Sequence, residues 1–210
     1  MESPSSNTCE GLVTNGKGSP NSIGLPKPLR LQIIYFVDDQ RMNTFECIIS
    51  KVEVREFIKK EVGSEIKQRI LESARQTGSG LNLQHWRFIL VEDDRNLSQL
   101  ALDSTSGRWI AGADFAIIIL TNPTLRFHLI DAGRVAQNMQ LTAWNEGVGS
   151  GLFTGIKEDK LRNDFKIPKD LTPSIILGFG YPLKPSTGKK KNRLPLNQLV
   201  YREEYGSPSE

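Results

Sequence analysis

Between Gln76 and Leu90 the chain reads QTGSGLNLQHWRFIL, a short polar loop set between two apolar stretches. Ser79, Asn82 and Gln84 give this loop a hydroxyl and two amides, while Gly78 and Gly80 let a ligand come close to its backbone. Amide donors and acceptors in that setting suit the edge of a flat heteroaromatic ring. Far along the chain, Lys191 and Arg193 stand two apart, so an extended segment projects both from one side. Two cations so placed make a clamp for a terminal phosphate. The other reading of the same stretch is a solvated basic tail. Arg55, in KVEVREF, is a further cation that follows the first expected helix.

Acid–base and metal chemistry are poorly supplied. The 2 histidines are His85 and His128, and no Cys or His spacing fits a metal site, so no metal is expected. His128, near the start of a long helix, reads as a packing or surface histidine. Asp131 and Glu146 share that helix but lie about four turns apart, too far to act as a pair. No side chain is expected to be catalytic by itself, which suits a bound cofactor that carries the hard chemistry. Two glycine patterns are decoys. GLVTNGKG, Gly11 to Gly18, has neither the terminal hydroxyl residue nor the flanking strand and helix of a phosphate loop. GVGSG, Gly147 to Gly151, follows a helix and precedes a strand, the reverse of a dinucleotide fingerprint.

The elements that must position these residues are legible in the hydrophobic pattern. Residues 1–28 are rich in Ser, Asn, Gly and Pro without a hydrophobic period, and 1–41 read as a largely disordered extension. LRLQIIYFV, Leu29 to Val37, reads as an added strand or docked arm. The compact domain is expected over 42–210. It opens with Asn43 or Thr44 as a helix cap and Phe45, Ile48 and Ile49 on one helix face. Ser64 caps a helix with Ile66, Ile70, Leu71 and Ala74 at helical spacing. Strands are expected at Trp86–Val91, Phe115–Thr121, Gly151–Phe153 and Ser174–Phe179. Helices are expected at Asn96–Leu102, Leu129–Glu146 and Glu158–Phe165. The class is α/β or α+β, a mixed sheet with helices around it.

Composition narrows the function. At 210 residues the chain fits one domain. A net charge of +3 leaves Lys184 to Arg193 as the one basic stripe, so nucleic acid is not an expected partner. The 2 cysteines, Cys9 and Cys47, are too few for a disulfide framework. No apolar run approaches the roughly 20 residues of a membrane span, and no secretory signal opens the chain, so a cytoplasmic protein is expected.

From about Met42 to Tyr205 the chain resembles the nitroreductase family of FMN-dependent oxidoreductases. KVEVREF stands where the family shows Arg-Arg-Ser-x-Arg-x-Phe, and SGLNLQHWRF is close to Ser-Ser-x-Asn-x-Gln-Pro-Trp-x-Phe. DAGRVAQNMQLTAWNEGVGSGLFTG, GFGYP and KNRLPLNQLVYREEY resemble the central helix with its following strand and the closing elements. The interval from Thr121 to His128 has no room for the helical insertion that caps the cleft in many relatives, so the resemblance is to a small member of the family.

The resemblance implies an α+β, nitroreductase-like mixed sheet and an intertwined homodimer with exchanged C-terminal arms, one FMN lying in each interface cleft. It implies that Lys51 and Arg55 reach the ribityl chain, the phosphate or the pyrimidine edge, with Val52 helping through its backbone. Ser79, Asn82 and Gln84 fall in the matching polar loop, whose amides can come from the partner subunit. Thr154–Gly155 match the turn that faces flavin N5, and Lys191 and Arg193 match the phosphate clamp. The implied activity passes hydride from NAD(P)H through flavin N5 to a small organic acceptor, a nitroaromatic, quinone or enone, in a ping-pong cycle. A non-catalytic flavin-binding or regulatory protein, and a dehalogenase-like flavoprotein of the same family, are the alternatives.

Overall fold

FAIIILT, Phe115–Thr121, forms strand β2, in which all 7 residues are buried. Its alternate side chains enter two separate cores. Phe115, Ile117 and Ile119 pack on one side with Ile70, Met139, Leu177 and Phe179. Ala116, Ile118 and Leu120 pack on the other with Leu97, Leu100, Ile110, Leu161 and Ile176. A strand continuously apolar in sequence is thus the middle layer of a sandwich. The computed structural model describes residues 42–184 and 191–207. The readings made above for residues 1–41, and for 185–190 of the basic arm, lie outside them.

Four strands make the sheet: β1 (Arg87–Val91), β2, β3 (Gly149–Phe153) and β4 (Thr172–Gly180), in the order β1-β2-β4-β3. A mixed sheet was expected, but all three ladders are antiparallel. Among the described residues, parallel pairing is confined to an isolated bridge between Glu53 and Ser150. Burial on both faces suits either ladder direction, so the apolar run did not report it. The β2–β4 register shifts between Ile119 and Leu120, where Pro173 stands opposite Leu120 and has no N–H to give.

Helices α2 (Ser64–Arg75) and α4 (His128–Asn145) cover one face, α4 through Ala132, Val135, Ala136, Met139 and Ala143. Helices α3 (Asp94–Leu102) and α5 (Glu158–Asp164) supply Leu97, Leu100 and Leu161 to the core of the other. Helix α1 (Thr44–Ser50) starts at a reciprocal cap: the Asn43 side chain accepts the Glu46 N–H at 2.9 Å, and the Glu46 carboxylate accepts the Asn43 N–H at 2.9 Å. Its apolar trio does not face this subunit's core. Cys47 is its one buried residue, whereas Phe45, Ile48 and Ile49 are exposed. The trio was correctly placed on a common face, but that face points outward. No described helix is long and apolar enough to cross a membrane.

Candidate functional site: a cationic cleft beside β3

The site begins where α1 ends. The chain leaves Ser50 extended and runs along β3, with the Val54 N–H donating to the Ser150 carbonyl at 2.9 Å. This brings Val54 against Gly149 and Gly151, where a side chain at either position would collide with it. The close approach places Lys51, Val52 and Glu53 on the outer edge of the sheet. Helix α1 is held against α4 by Trp144, whose indole N–H donates to Ser50 Oγ at 2.9 Å. The C-terminal segment returns here too: Lys191 Nζ donates to the Ile48 carbonyl at 2.6 Å, at the end of α1.

These elements enclose a cleft of about 740 Å³ lined by Lys51, Val52, Glu53, Lys191, Arg193 and Gln137, with Ile48 and Ile49 completing it. Three cations therefore converge. Burial pushes the Lys191 ammonium below its ordinary value, and Arg193 and Lys51 push it further the same way. Glu53 pairs with Lys51, accepts the Leu152 N–H at 2.9 Å, and takes a weaker bond from Gln140 Nε2 at 3.3 Å.

Four of the expected site residues, Lys51, Val52, Lys191 and Arg193, thus meet in one cleft. Arg55 does not line it, because its guanidinium lies over Trp109, 5.9 Å from the ring centroid. Thr154 and Gly155 follow β3 directly but lie outside the cleft lining. Gly155 is wedged against Thr105 and Ser106, and its carbonyl accepts the Thr105 N–H at 2.8 Å.

Ser79, Asn82 and Gln84 form a separate structure. Ser79 Oγ accepts the Gln84 N–H at 2.9 Å, and Leu81, Asn82 and Gln84 all hold positive φ, at 52°, 55° and 47°. Backbone this unusual for non-glycine residues needs outside support. Asp131, buried in the first turn of α4, supplies it by accepting the Gly80 N–H at 2.9 Å and facing His85 Nε2 at 3.2 Å. The Asn122 N–H points to the other ring nitrogen of His85 at 3.4 Å. Asn82 and Gln84 remain exposed. His128 bonds Thr121 Oγ1 at 2.9 Å, as a packing histidine does.

Sequence reasoning missed the Asp131–His85 support and the place of Gln137 in the cleft. An acidic residue in the first turn of α4 was a visible signal for the former; nothing local pointed to the latter. Among the described residues no cluster of His, Cys, Asp or Glu is arranged to hold a metal.

Three cations meet at this sheet edge, and the fold around it has known counterparts. The nitroreductase family model matches residues 101–181. A candidate NADH dehydrogenase/NAD(P)H nitroreductase of Methanothermobacter thermautotrophicus is 28% identical over 151 residues, covering 68% of this chain and 78% of that protein. The FMN reductase (NADPH) of Bacillus subtilis is 27% identical over 185 residues, covering 77% and 73%. Among solved structures, an FMN-dependent nitroreductase of Clostridium difficile R20291 superposes with a TM-score of 0.65 at 25% identity, covering 70% of this chain and 90% of that one. A nitroreductase family protein of Clostridium difficile 630 gives 0.70 at 24%, covering 78% and 99%. The resemblance to the nitroreductase family is borne out, and the fold is the family's.

Proposed function

We propose that this chain is an FMN-dependent NAD(P)H oxidoreductase whose cationic cleft holds the phosphate end of the flavin. The convergence of Lys51, Lys191 and Arg193 carries the reading: burial and like charge already disfavour the Lys191 ammonium, and the opposite charge of a phosphate dianion offsets that cost. The donor set fits the group, because Arg193 offers a planar fork and the lysines offer point charges. Similarity to an FMN reductase and an FMN-dependent nitroreductase supports the same cofactor.

When bound, FMN would supply the redox chemistry between NAD(P)H and a small organic acceptor, a nitroaromatic, quinone or enone. The chain's part is to bind and orient. Lys191, Arg193 and Lys51 grip the phosphate, while the Val52 backbone holds the chain leading from it. Arg55, packed over Trp109, adds positive potential near the pyrimidine edge. The Thr154–Gly155 turn, fixed through the Thr105 bond, presents a rigid backbone to the ring. Ser79, Asn82 and Gln84 act from the other subunit of a homodimer. In support of that arrangement, their loop lies outside the cleft, is braced on Asp131, and keeps both amides exposed. Residues 42–210 are the working unit, and the C-terminal arm crosses to the partner. Cytoplasmic residence accords with the nicotinamide donor.

Colour and bleaching test this. Purified protein, or protein incubated with FMN, should be yellow and should lose its flavin absorbance under anaerobic NADH or NADPH. A yellow protein that neither nicotinamide bleaches favours a non-catalytic flavin-binding role. A protein that takes up no FMN overturns the proposal.

A further inference from the structure

The cleft carries an anion of its own. Glu53 is the one carboxylate lining it among the described residues, set beside Lys51, Lys191 and Arg193. Its pairing with Lys51 is lopsided: the Lys51 side chain is 11% exposed, while that of Glu53 is 44% exposed. Lys51 is therefore committed to its neighbour's carboxylate, and that carboxylate stays in contact with the solvent an arriving anion must cross. The Leu152 N–H at 2.9 Å anchors the other oxygen of Glu53 to β3, so the group is held in place. Without ligand, this carboxylate offsets the Lys51 charge in a cleft that also holds Lys191 and Arg193. With a phosphate present, two anions compete for one ammonium, and like charges in one pocket oppose each other.

We infer that Glu53 is a built-in competitor for the phosphate: it stabilises the ligand-free cleft, and an entering phosphate must take Lys51 from it. The inference rests on reading the cleft as a phosphate site, and it makes Glu53 a determinant of how tightly the mononucleotide is held.

Glu53→Gln keeps the shape and an oxygen for the Leu152 N–H while removing the charge. It is expected to bind FMN about tenfold tighter, equivalent to ~1.4 kcal/mol, and inorganic phosphate tighter in the same direction. Riboflavin, which has no phosphate, should change by less than about twofold. The ligand-free melting temperature at low salt should fall, and saturating FMN should restore it. A carboxylate with only a structural role would instead lower the melting temperature with and without ligand and weaken every ligand alike. Unchanged or weaker binding of FMN and phosphate by E53Q overturns the inference. Glu53→Ser, which removes the carboxylate by truncation, decides in the same way should E53Q fail to fold. If the wild-type protein prefers FMN no more than riboflavin, the cofactor reading fails separately, and the inorganic phosphate arm still tests Glu53.

Discussion

Lys191 connects the protonation of one side chain to the cleft's affinity. Its ammonium sits below the ordinary value of 10.5, through burial first and then through Arg193 and Lys51. In the unfolded chain it holds its proton up to the ordinary value, so charged Lys191 costs the ligand-free fold some stability. That cost is relieved as pH rises from the lowered value towards 10.5. Phosphate binding has the opposite sign, because a dianion draws the proton back and its affinity is lost over the same window. The ratio of FMN to riboflavin affinity, which cancels effects on the ring, should therefore fall with pH beginning below 10.5. Lys191→Arg should flatten that profile, since a guanidinium does not titrate there; a flat wild-type profile would count against the assignment. The Lys191–Arg193 pair was legible because an extended chain repeats its direction every second residue. Lys51 and Glu53 share that spacing, yet the hold of Glu53 on Leu152 depended on β3, about a hundred residues later, and no local pattern encodes it.

Strand β3 is the element that makes the cleft possible, through what it lacks. A Cβ on Gly151 would stand 2.5 Å from the Val54 carbonyl oxygen and 2.7 Å from the Trp109 ring. Neither neighbour yields easily: one is backbone tied to Ser150, the other a large ring packed edge-on to Phe153. Gly151→Ala should cost about 1–3 kcal/mol in urea denaturation, the scale of overpacking, and should loosen FMN by displacing residues 51–54. Gly112→Ala, with nothing within 4 Å of its added Cβ, is the matched control and should be nearly neutral. The same glycines show where legibility ended. The expected strand starts at Gly151, the last residue of GVGSG; Gly147 turns, with φ of 73°, but β3 already begins at Gly149. Glycine weakens strand propensity, so the pattern understated a strand held by its pairing with β4. β2 and α4 were legible almost to the residue, since their periodicities serve this subunit's own core. Helix α1 was legible as a helix and misleading as to its neighbour, because its apolar face joins neither core among the described residues.

At the scale of the molecule, that outward face is one of several. Phe45 is 69% exposed, Leu129 and Ile130 at the start of α4 are 60% and 66%, and Leu196 and Tyr205 in the C-terminal arm are 73% and 90%. Apolar side chains distributed this way suit the homodimer proposed above. The arm is tethered at Lys191 to the end of α1, then carries Leu194, Leu196, Leu199 and Tyr201 onward with little cover of their own. A second copy would cover them, with the roughly 1,200–2,000 Å² of total buried surface that a stable pair needs. Sedimentation equilibrium should therefore find a dimer at micromolar concentration. Deleting residues 196–210, which spares Lys191 and Arg193, should shift it towards monomer. The same deletion should weaken FMN retention, although the cationic cleft is intact, because Asn82 and Gln84 would no longer arrive from the other subunit. A monomer that holds FMN as tightly as the full chain would show that one subunit completes the site, and would return the Asn82–Gln84 loop to a structural role.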